Sequence, residues 1–196
     1  YDTKKTFYSF LPGIAGIYGI PIWSFYLNRG QGLSSFGIKG KGSPIMEFLP
    51  AIIANEKINT QGFRTFLKIG NEVFEPFAVV EDRKGLTRQM SVSRSSFSVL
   101  EKNEIGGYEI EVTYCVLPME SVGGLIRNVR IKNLRQADVK MEVCDGTTII
   151  LPYGMTNMEY ETSGNLLRSW AETSFVDDKI LFTKQRASTI DGSEIT

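Results

Sequence analysis

The stretch Trp23–Ala51 reads WSFYLNRGQGLSSFGIKGKGSPIMEFLPA and carries the strongest structural signal in this chain. Its apolar runs alternate with tight glycine-rich breaks, a pattern typical of consecutive antiparallel strands joined by hairpins. The first break, 28–32, offers residues that tolerate a positive φ, and the second, 37–44, has three glycines before a proline. The stretch therefore predicts a three-stranded meander.

Period-two alternation of apolar residues recurs along the chain, whereas a 3.6-residue period never persists beyond about two turns. The clearest case is Tyr108–Val116, where every second residue is apolar or aromatic and Glu109 and Glu111 lie on the other face. Leu125–Lys132 and Val139–Cys144 read as a second antiparallel pair, joined by a polar hairpin loop.

Further strands are expected at Phe63–Ile69, at Val73–Val80 and, as one serine-rich strand, at Met90–Leu100. Residues 165–172 are compatible with either a short helix or a strand. Because the alternating helical segments of βαβ units are missing, the sequence predicts an all-β fold, a large antiparallel β-sandwich of two stacked sheets. The side chains expected between the sheets are Tyr108, Ile110, Val112, Tyr114, Val129, Ile131, Val139, Met141 and Val143.

Residues 1–22 are expected to form an irregular apolar lead-in, and 23–196 one β-sandwich domain, incomplete at its C-terminal end and part of a larger protein. The run from Thr6 to Leu27 has no charged residue, but glycines and prolines such as Gly16 and Pro21 would interrupt a membrane helix there. We therefore expect no membrane association.

The charges argue against a nucleic-acid-binding protein. The 22 basic and 22 acidic side chains cancel, and the basic ones form no cluster. A neutral ligand such as a sugar fits this composition better. The two cysteines, Cys115 and Cys144, have no metal-binding spacing and favour a reducing, cytoplasmic compartment, although a bridge between them stays open.

The chain contains no histidine, which removes histidine acid–base chemistry, the serine–histidine–aspartate triad and nearly every zinc site. Carboxylate chemistry remains, with Glu47, Glu75, Glu81 and Asp82 as the available acids. Nothing in their sequence surroundings marks any of them as a catalytic acid. We expect no metal and no cofactor.

Five segments recur in the order of a known family: Asn28–Gln31, Ser34–Gly37, Ile45–Ala51, Gln61–Phe66 and Glu75–Phe77. Together they resemble the N-terminal region of inverting β-glucan phosphorylases. These are cellobiose phosphorylase-like enzymes of glycoside hydrolase families 94 and 161. The motif residues are more similar to those of the oligoglucan phosphorylases in family 161. The resemblance is strongest over 11–77 and looser over 127–146.

The resemblance implies a β-sandwich of the galactose mutarotase type, followed in the family by a helical barrel that carries the catalytic aspartate. No trace of that barrel is present here, so this chain is expected to lack the catalytic acid and to be inactive alone. The parent enzyme would cleave β-linked gluco-oligosaccharides with inorganic phosphate as co-substrate, giving α-glucose 1-phosphate, and would be a homodimer. Linkage and chain-length specificity stay open.

Three residues are candidates for contacts to substrate or to a neighbouring subunit: Arg29, Gln31 and Arg64. Arginine forks bind phosphate or sugar hydroxyls with two hydrogen bonds, although most arginines on a sandwich are simply solvated. The glycine-rich segment 37–43 lacks the spacing of a phosphate loop and reads as a hairpin loop. A free-standing carbohydrate-binding sandwich and a purely structural interaction domain are the alternatives to the phosphorylase reading.

Overall fold

The computed structural model describes residues 1–11, 16–148, 150–151 and 155–185. Its strands and helices, in chain order, are β1 (Tyr8–Leu11), β2 (Ile22–Leu27), β3 (Leu33–Ile38), β4 (Pro44–Met46), α1 (Ala51–Gln61), β5 (Arg64–Ile69), β6 (Glu72–Phe74), β7 (Leu86–Val92), β8 (Ser96–Asn103), β9 (Tyr108–Val116), β10 (Leu125–Asn133), β11 (Met141–Gly146), α2 (Asn157–Trp170), β12 (Ala171–Val176) and β13 (Ile180–Gln185).

Strands β1 to β11 form three antiparallel sheets in two layers, and β12 and β13 pair as a separate two-stranded sheet. Sheet I has the order β1-β2-β3-β4, sheet II the order β10-β9-β8-β7 and sheet III the order β11-β5-β6. One hydrophobic core joins all three, with the rings of Tyr26 in sheet I and Phe97 in sheet II stacked at a centroid distance of 4.8 Å. Sheets I and III thus pack on the same face of sheet II, and the predicted all-β antiparallel sandwich is confirmed.

The predicted meander is confirmed as β2, β3 and β4, which pair in sequence order within sheet I. The loop after β3 is a hairpin turn, in which the Ile38 amide donates to the Ser43 carbonyl at 3.2 Å. Lys41 in this loop lies over the rings of Phe10 and Phe48, and Trp23 Nε1 donates to the Gly40 carbonyl. The loop therefore closes over an aromatic cluster.

Strand β1 shows that the lead-in is not irregular throughout. It pairs with β2 over Tyr8–Leu11, which extends the meander to four strands. The physical reason is that Tyr8 and Phe10 pack their rings against Phe25 on the neighbouring strand, at centroid distances of 6.2 and 4.9 Å. The apolar residues of this segment thus form an edge strand of sheet I.

The strand register predicted for β9 is confirmed. Its residues alternate between buried and partly exposed, and Ile110, Val112 and Tyr114 are fully buried. Val129, Ile131, Val139 and Met141 are partly buried and pack on the same core. The expectation for Val143 is wrong: its side chain is 51% exposed, because β11 is an edge strand of sheet III.

The predicted hairpin between Leu125–Lys132 and Val139–Cys144 is also wrong. Strand β10 pairs with β9, and β11 pairs with β5, so residues 134–140 cross from one layer of the sandwich to the other. Glu142 on β11 accordingly pairs with a residue of β5, since Lys68 Nζ binds its carboxylate at 3.3 Å. Strands that are adjacent in sequence often pair with each other. Here β11 pairs instead with the open edge of β5.

Two strand predictions had wrong bounds. The expected strand Val73–Val80 ends at Phe74, because Pro76 has no amide to donate and Phe77 has a left-handed φ of 66°. The expected serine-rich strand Met90–Leu100 is two strands, β7 and β8, joined by a turn in which the Ser93 hydroxyl accepts from the Ser96 amide. Phe97 and Val99 share the buried face of β8.

Helix α1 was not predicted. It covers the face of sheet I opposite to sheet II, where Ala54 and Ile58 pack on Phe25 and Leu27. Of residues 165–172, left open between helix and strand, 165–170 belong to α2, which is interrupted at Ser163, and 171–172 begin β12. Within the described residues, neither helix is long and apolar enough to cross a membrane.

Candidate functional site

Three of the family-like segments meet in space at the junction of sheets I and III. Gly30 and Gln31, Phe63 and Arg64, and the segment 75–78 line one narrow gap of about 10 Å³ beside α1. A gap of this size has room for roughly one water. The segments therefore pack on each other. We call this contact region between sheets I and III the joint.

Gln31, a predicted contact residue, is buried in this joint, with only 3% of its surface exposed. Its Nε2 donates to Thr65 Oγ1 at 2.9 Å, and its Oε1 accepts from Arg127 Nη2 at 2.6 Å. Both ends of the amide thus have partners within the chain. The side chain connects the β2–β3 hairpin to strands in both layers.

Arg127 is the centre of the joint, and sequence reasoning missed it. Its guanidinium donates to both carboxylate oxygens of Asp145 as well as to Gln31, and it lies over the Phe63 ring at 4.7 Å. Asp145 in turn accepts from Thr65 Oγ1 at 2.6 Å. A signal was present, because Arg127 occupies an inward-facing position on β10, in phase with Val129 and Ile131.

Burial and the interactions with Asp145 shift the pKa of Arg127 in opposite directions. Burial lowers the pKa of Arg127, but the hydrogen bonds and charge of Asp145 outweigh it, so the pKa is raised above its ordinary value. The neighbouring Tyr114 hydroxyl accepts from Arg127 Nε at 3.3 Å, and burial raises its pKa to about 12. Arg127 is thus a permanent cation that is fully committed to partners inside the protein.

No protein-family model matches this chain, and no curated protein matches it significantly. The resemblance to glycoside phosphorylases therefore rests on the motif residues of the sequence alone.

Asn28 and Arg29 hold the N-terminal segment against the sandwich. Asn28 Nδ2 donates to the carbonyls of Tyr1 and Lys5 at 3.1 and 3.0 Å, and its Oδ1 accepts from the Phe7 amide at 2.7 Å. Arg29 donates to the Lys4 carbonyl at 3.1 Å and to that of Asn28 at 2.7 Å. These bonds give Arg29 partners within the chain, and its contact to substrate or to a neighbouring subunit stays a prediction.

Arg64, the third predicted contact residue, forms a two-pronged ion pair with Glu75. Its Nε and Nη2 lie 2.6 and 3.0 Å from the two carboxylate oxygens, and both side chains are partly exposed. The hydrogen bonds to Glu75 raise the pKa of Arg64. The pair joins two of the family-like segments, and one edge of it stays accessible to solvent.

A second buried charge network lies where the N-terminal segment meets sheet II. Arg88 binds Asp2 at 2.7 Å and Glu101 at 2.8 Å, and Arg83 binds Asp2 at 2.7 Å. Burial raises the pKa of the Asp2 carboxyl, but hydrogen bonds from the two arginines outweigh it and hold the pKa well below its usual range. Glu101 also accepts from the Phe77 amide at 2.6 Å.

Of the carboxylates considered for catalysis, Glu75 is bound to Arg64, and Glu47 borders an open cavity of about 630 Å³ against residues 160–166 of α2. Across the described part of the chain, no three Cys, Asp or Glu side chains are arranged to hold a metal ion. Cys115 and Cys144 are free thiols, so the open question of a bridge between them is answered.

Proposed function

We propose that this chain is the N-terminal, non-catalytic β-sandwich segment of an inverting β-glucan phosphorylase. The parent enzyme releases α-glucose 1-phosphate from a β-linked gluco-oligosaccharide and inorganic phosphate. It works in the cytoplasm as a homodimer, and its catalytic acid lies outside this segment. Sheets and joints such as those described above would serve to position loops near the active site.

The observation that carries this proposal is the position of the family-like residues. Asn28 and Gln31 come from one family-like segment and Arg64 and Glu75 from two others, and each makes specific hydrogen bonds that join separate parts of the sandwich. A short motif is a weak signal alone, but several motifs in the same order, each of which holds two parts of this sandwich together, support the proposal. In the resembling family, that architecture is the segment without the catalytic acid.

The chemistry of the described carboxylates supports the same assignment. Phosphorolysis needs one protonated acid beside the scissile bond, because phosphate itself attacks. The oxygens of Glu75 accept from the Arg64 guanidinium, and those of Glu101 accept from Arg88, Tyr108 and the Phe77 amide, so both carboxylates are held by partners within the chain. Neither is suited to give a proton to a leaving sugar.

The proposal is tested by assaying glucose 1-phosphate release from cello- and laminari-oligosaccharides. The protein encoded by the whole open reading frame is compared with the purified 196-residue chain, each with and without phosphate. We expect phosphate-dependent release from the former only. Robust release by the 196-residue chain, or phosphate-independent hydrolysis by the whole protein, would refute the assignment.

A further inference from the structure

A cleft of about 290 Å³ opens at one end of the sandwich and shares Glu75 with the gap between the family-like segments. It lies between the end of β6 with the following loop and the ends of β7, β8 and β9 in sheet II. Its volume is close to the lower end of the range for small-molecule sites. The cleft is large enough for one sugar ring or a molecule of similar size.

The floor of the cleft is a fixed set of buried polar groups. Arg88 and Glu101, whose side chains are 2% and 1% exposed, form an ion pair at 2.8 Å, and the Tyr108 hydroxyl donates to Glu101 Oε1 at 2.7 Å. These bonds hold each side chain in one orientation without help from a ligand. Such preorganised polar groups lower the cost of ordering a site when it binds.

The walls of the cleft combine apolar and hydrogen-bonding side chains. Phe74, Val80 and Ile105 provide apolar surface, whereas Lys84 and Asn103 provide groups that hydrogen-bond. Val80 and Ile105 are exposed to 37% and 67%, so this apolar surface is open to a ligand. A ligand that satisfies both kinds of surface needs C–H faces together with groups that donate and accept hydrogen bonds.

The charges that line the cleft are balanced. Three carboxylates, Glu75, Asp82 and Glu101, face two cations, Lys84 and Arg88, and the third carboxylate is neutralised by the bond from Arg64 to Glu75. Neither an anion nor a cation meets an uncompensated opposite charge there. The floor groups already bond to one another, so the polar contacts open to a ligand come from Lys84 and Asn103 on the walls. The lining is therefore matched to a neutral, polyhydroxylated molecule.

We propose that this cleft is a binding site for a neutral hexose unit, separate from any catalytic centre. The ring's C–H face packs on Phe74 and Ile105, and its hydroxyls bond to Lys84 and Asn103. The proposal rests on the cleft alone and does not depend on the phosphorylase assignment.

The test is a ¹H–¹⁵N NMR titration of the 196-residue chain with methyl β-D-glucopyranoside. We expect saturable shifts confined to the cleft and a dissociation constant on the order of a millimolar, as befits a ligand of this size. Ile105→Trp fills the cleft from an exposed turn and should weaken binding about tenfold or more. Lys84→Ala should weaken it several-fold, and Arg130→Ala, on the opposite face of sheet II, should not change it.

Glucose 6-phosphate and glucosamine, titrated in the same way, test the ligand class, and both should bind more weakly than the neutral glycoside. Absence of saturable shifts would overturn the proposal. So would equal binding by the wild type and by Lys84→Ala together with tighter binding of a charged sugar. Should Ile105→Trp fail to fold, as judged by its amide spectrum, the Lys84→Ala and Arg130→Ala pair still decides the outcome.

Discussion

Replacement of Arg127 by methionine should destabilise the fold more than any change at the exposed surface. The side chain is 10% exposed and donates to Gln31 and to both oxygens of Asp145. Methionine keeps much of the apolar stem but removes every one of these donors. The Gln31 carbonyl oxygen and the Asp145 carboxylate would then lose their cationic partner inside the joint.

The magnitude follows from the state in which the partners are left. Breaking a buried ion pair by removal of one member costs about 3 to 5 kcal/mol, because the remaining charge is desolvated without compensation. Asp145 keeps its bond from Thr65 Oγ1 and its side chain is 29% exposed, which places the expectation at the lower end, about 3 kcal/mol. This is a large fraction of a typical folding free energy.

Urea unfolding of the 196-residue chain, followed by tryptophan fluorescence, measures the effect. With a slope of about 2 kcal/mol/M, a loss of 3 kcal/mol lowers the midpoint by about 1.5 M. The matched control is Arg130→Met on the same strand. Arg130 is 75% exposed and lies 3.8 Å from Glu111, so its loss should change stability by less than about 1 kcal/mol.

A double substitution separates charge from packing. In Arg127→Met with Asp145→Asn, the stranded carboxylate is gone, and we expect part of the lost stability to return. Equal midpoints for Arg127→Met and Arg130→Met would refute the placement of Arg127 in the joint. No recovery in the double variant would show that the lost charge pairing is not the cause.

Three further outcomes are expected in the same unfolding assay. Gly32→Ala should cost about 2 to 3 kcal/mol, because Gly32 has a φ of 85° and an added Cβ would lie 2.8 Å from the Phe97 ring; a wild-type midpoint would contradict this. Arg64→Ala should cost about 1 kcal/mol or less, since its pair with Glu75 is partly exposed, and a larger loss would show that the pair is a principal stabilising contact. Because the folded-state pKa of Asp2 is lowered, its contribution is complete above pH about 4 and is lost as the pH falls. Asp2→Asn should therefore flatten the acid limb of stability against pH, and an unchanged limb would count against the network.

The strands that could be predicted are those whose register is determined locally. Tyr108–Val116 alternates without a break, so its buried face follows from parity alone, and the glycine-rich breaks near Gly32 and Gly40 define the meander. Helix α1 was missed because only Ala54 and Ile58 are buried, whereas apolar Ile52 is 78% exposed and blurs the helical pattern.

The joint could not be predicted because its partners are non-local. Nothing near Met141–Gly146 in sequence indicates that this strand pairs with β5, which lies more than seventy residues earlier. Without that pairing, Asp145 cannot be placed beside Arg127. An inward-facing arginine in an apolar strand shows that a buried partner is needed. It does not show which one.

The anomeric configuration of the product tests the central proposal most directly. The protein encoded by the whole open reading frame is incubated with a β-linked gluco-oligosaccharide and inorganic phosphate, and early time points are followed by ¹H and ³¹P NMR. We expect accumulation of glucose 1-phosphate in the α configuration, because direct attack by phosphate on a β-linkage inverts the anomeric centre. Accumulation of the β-anomer, or of free glucose without glucose 1-phosphate, would contradict it.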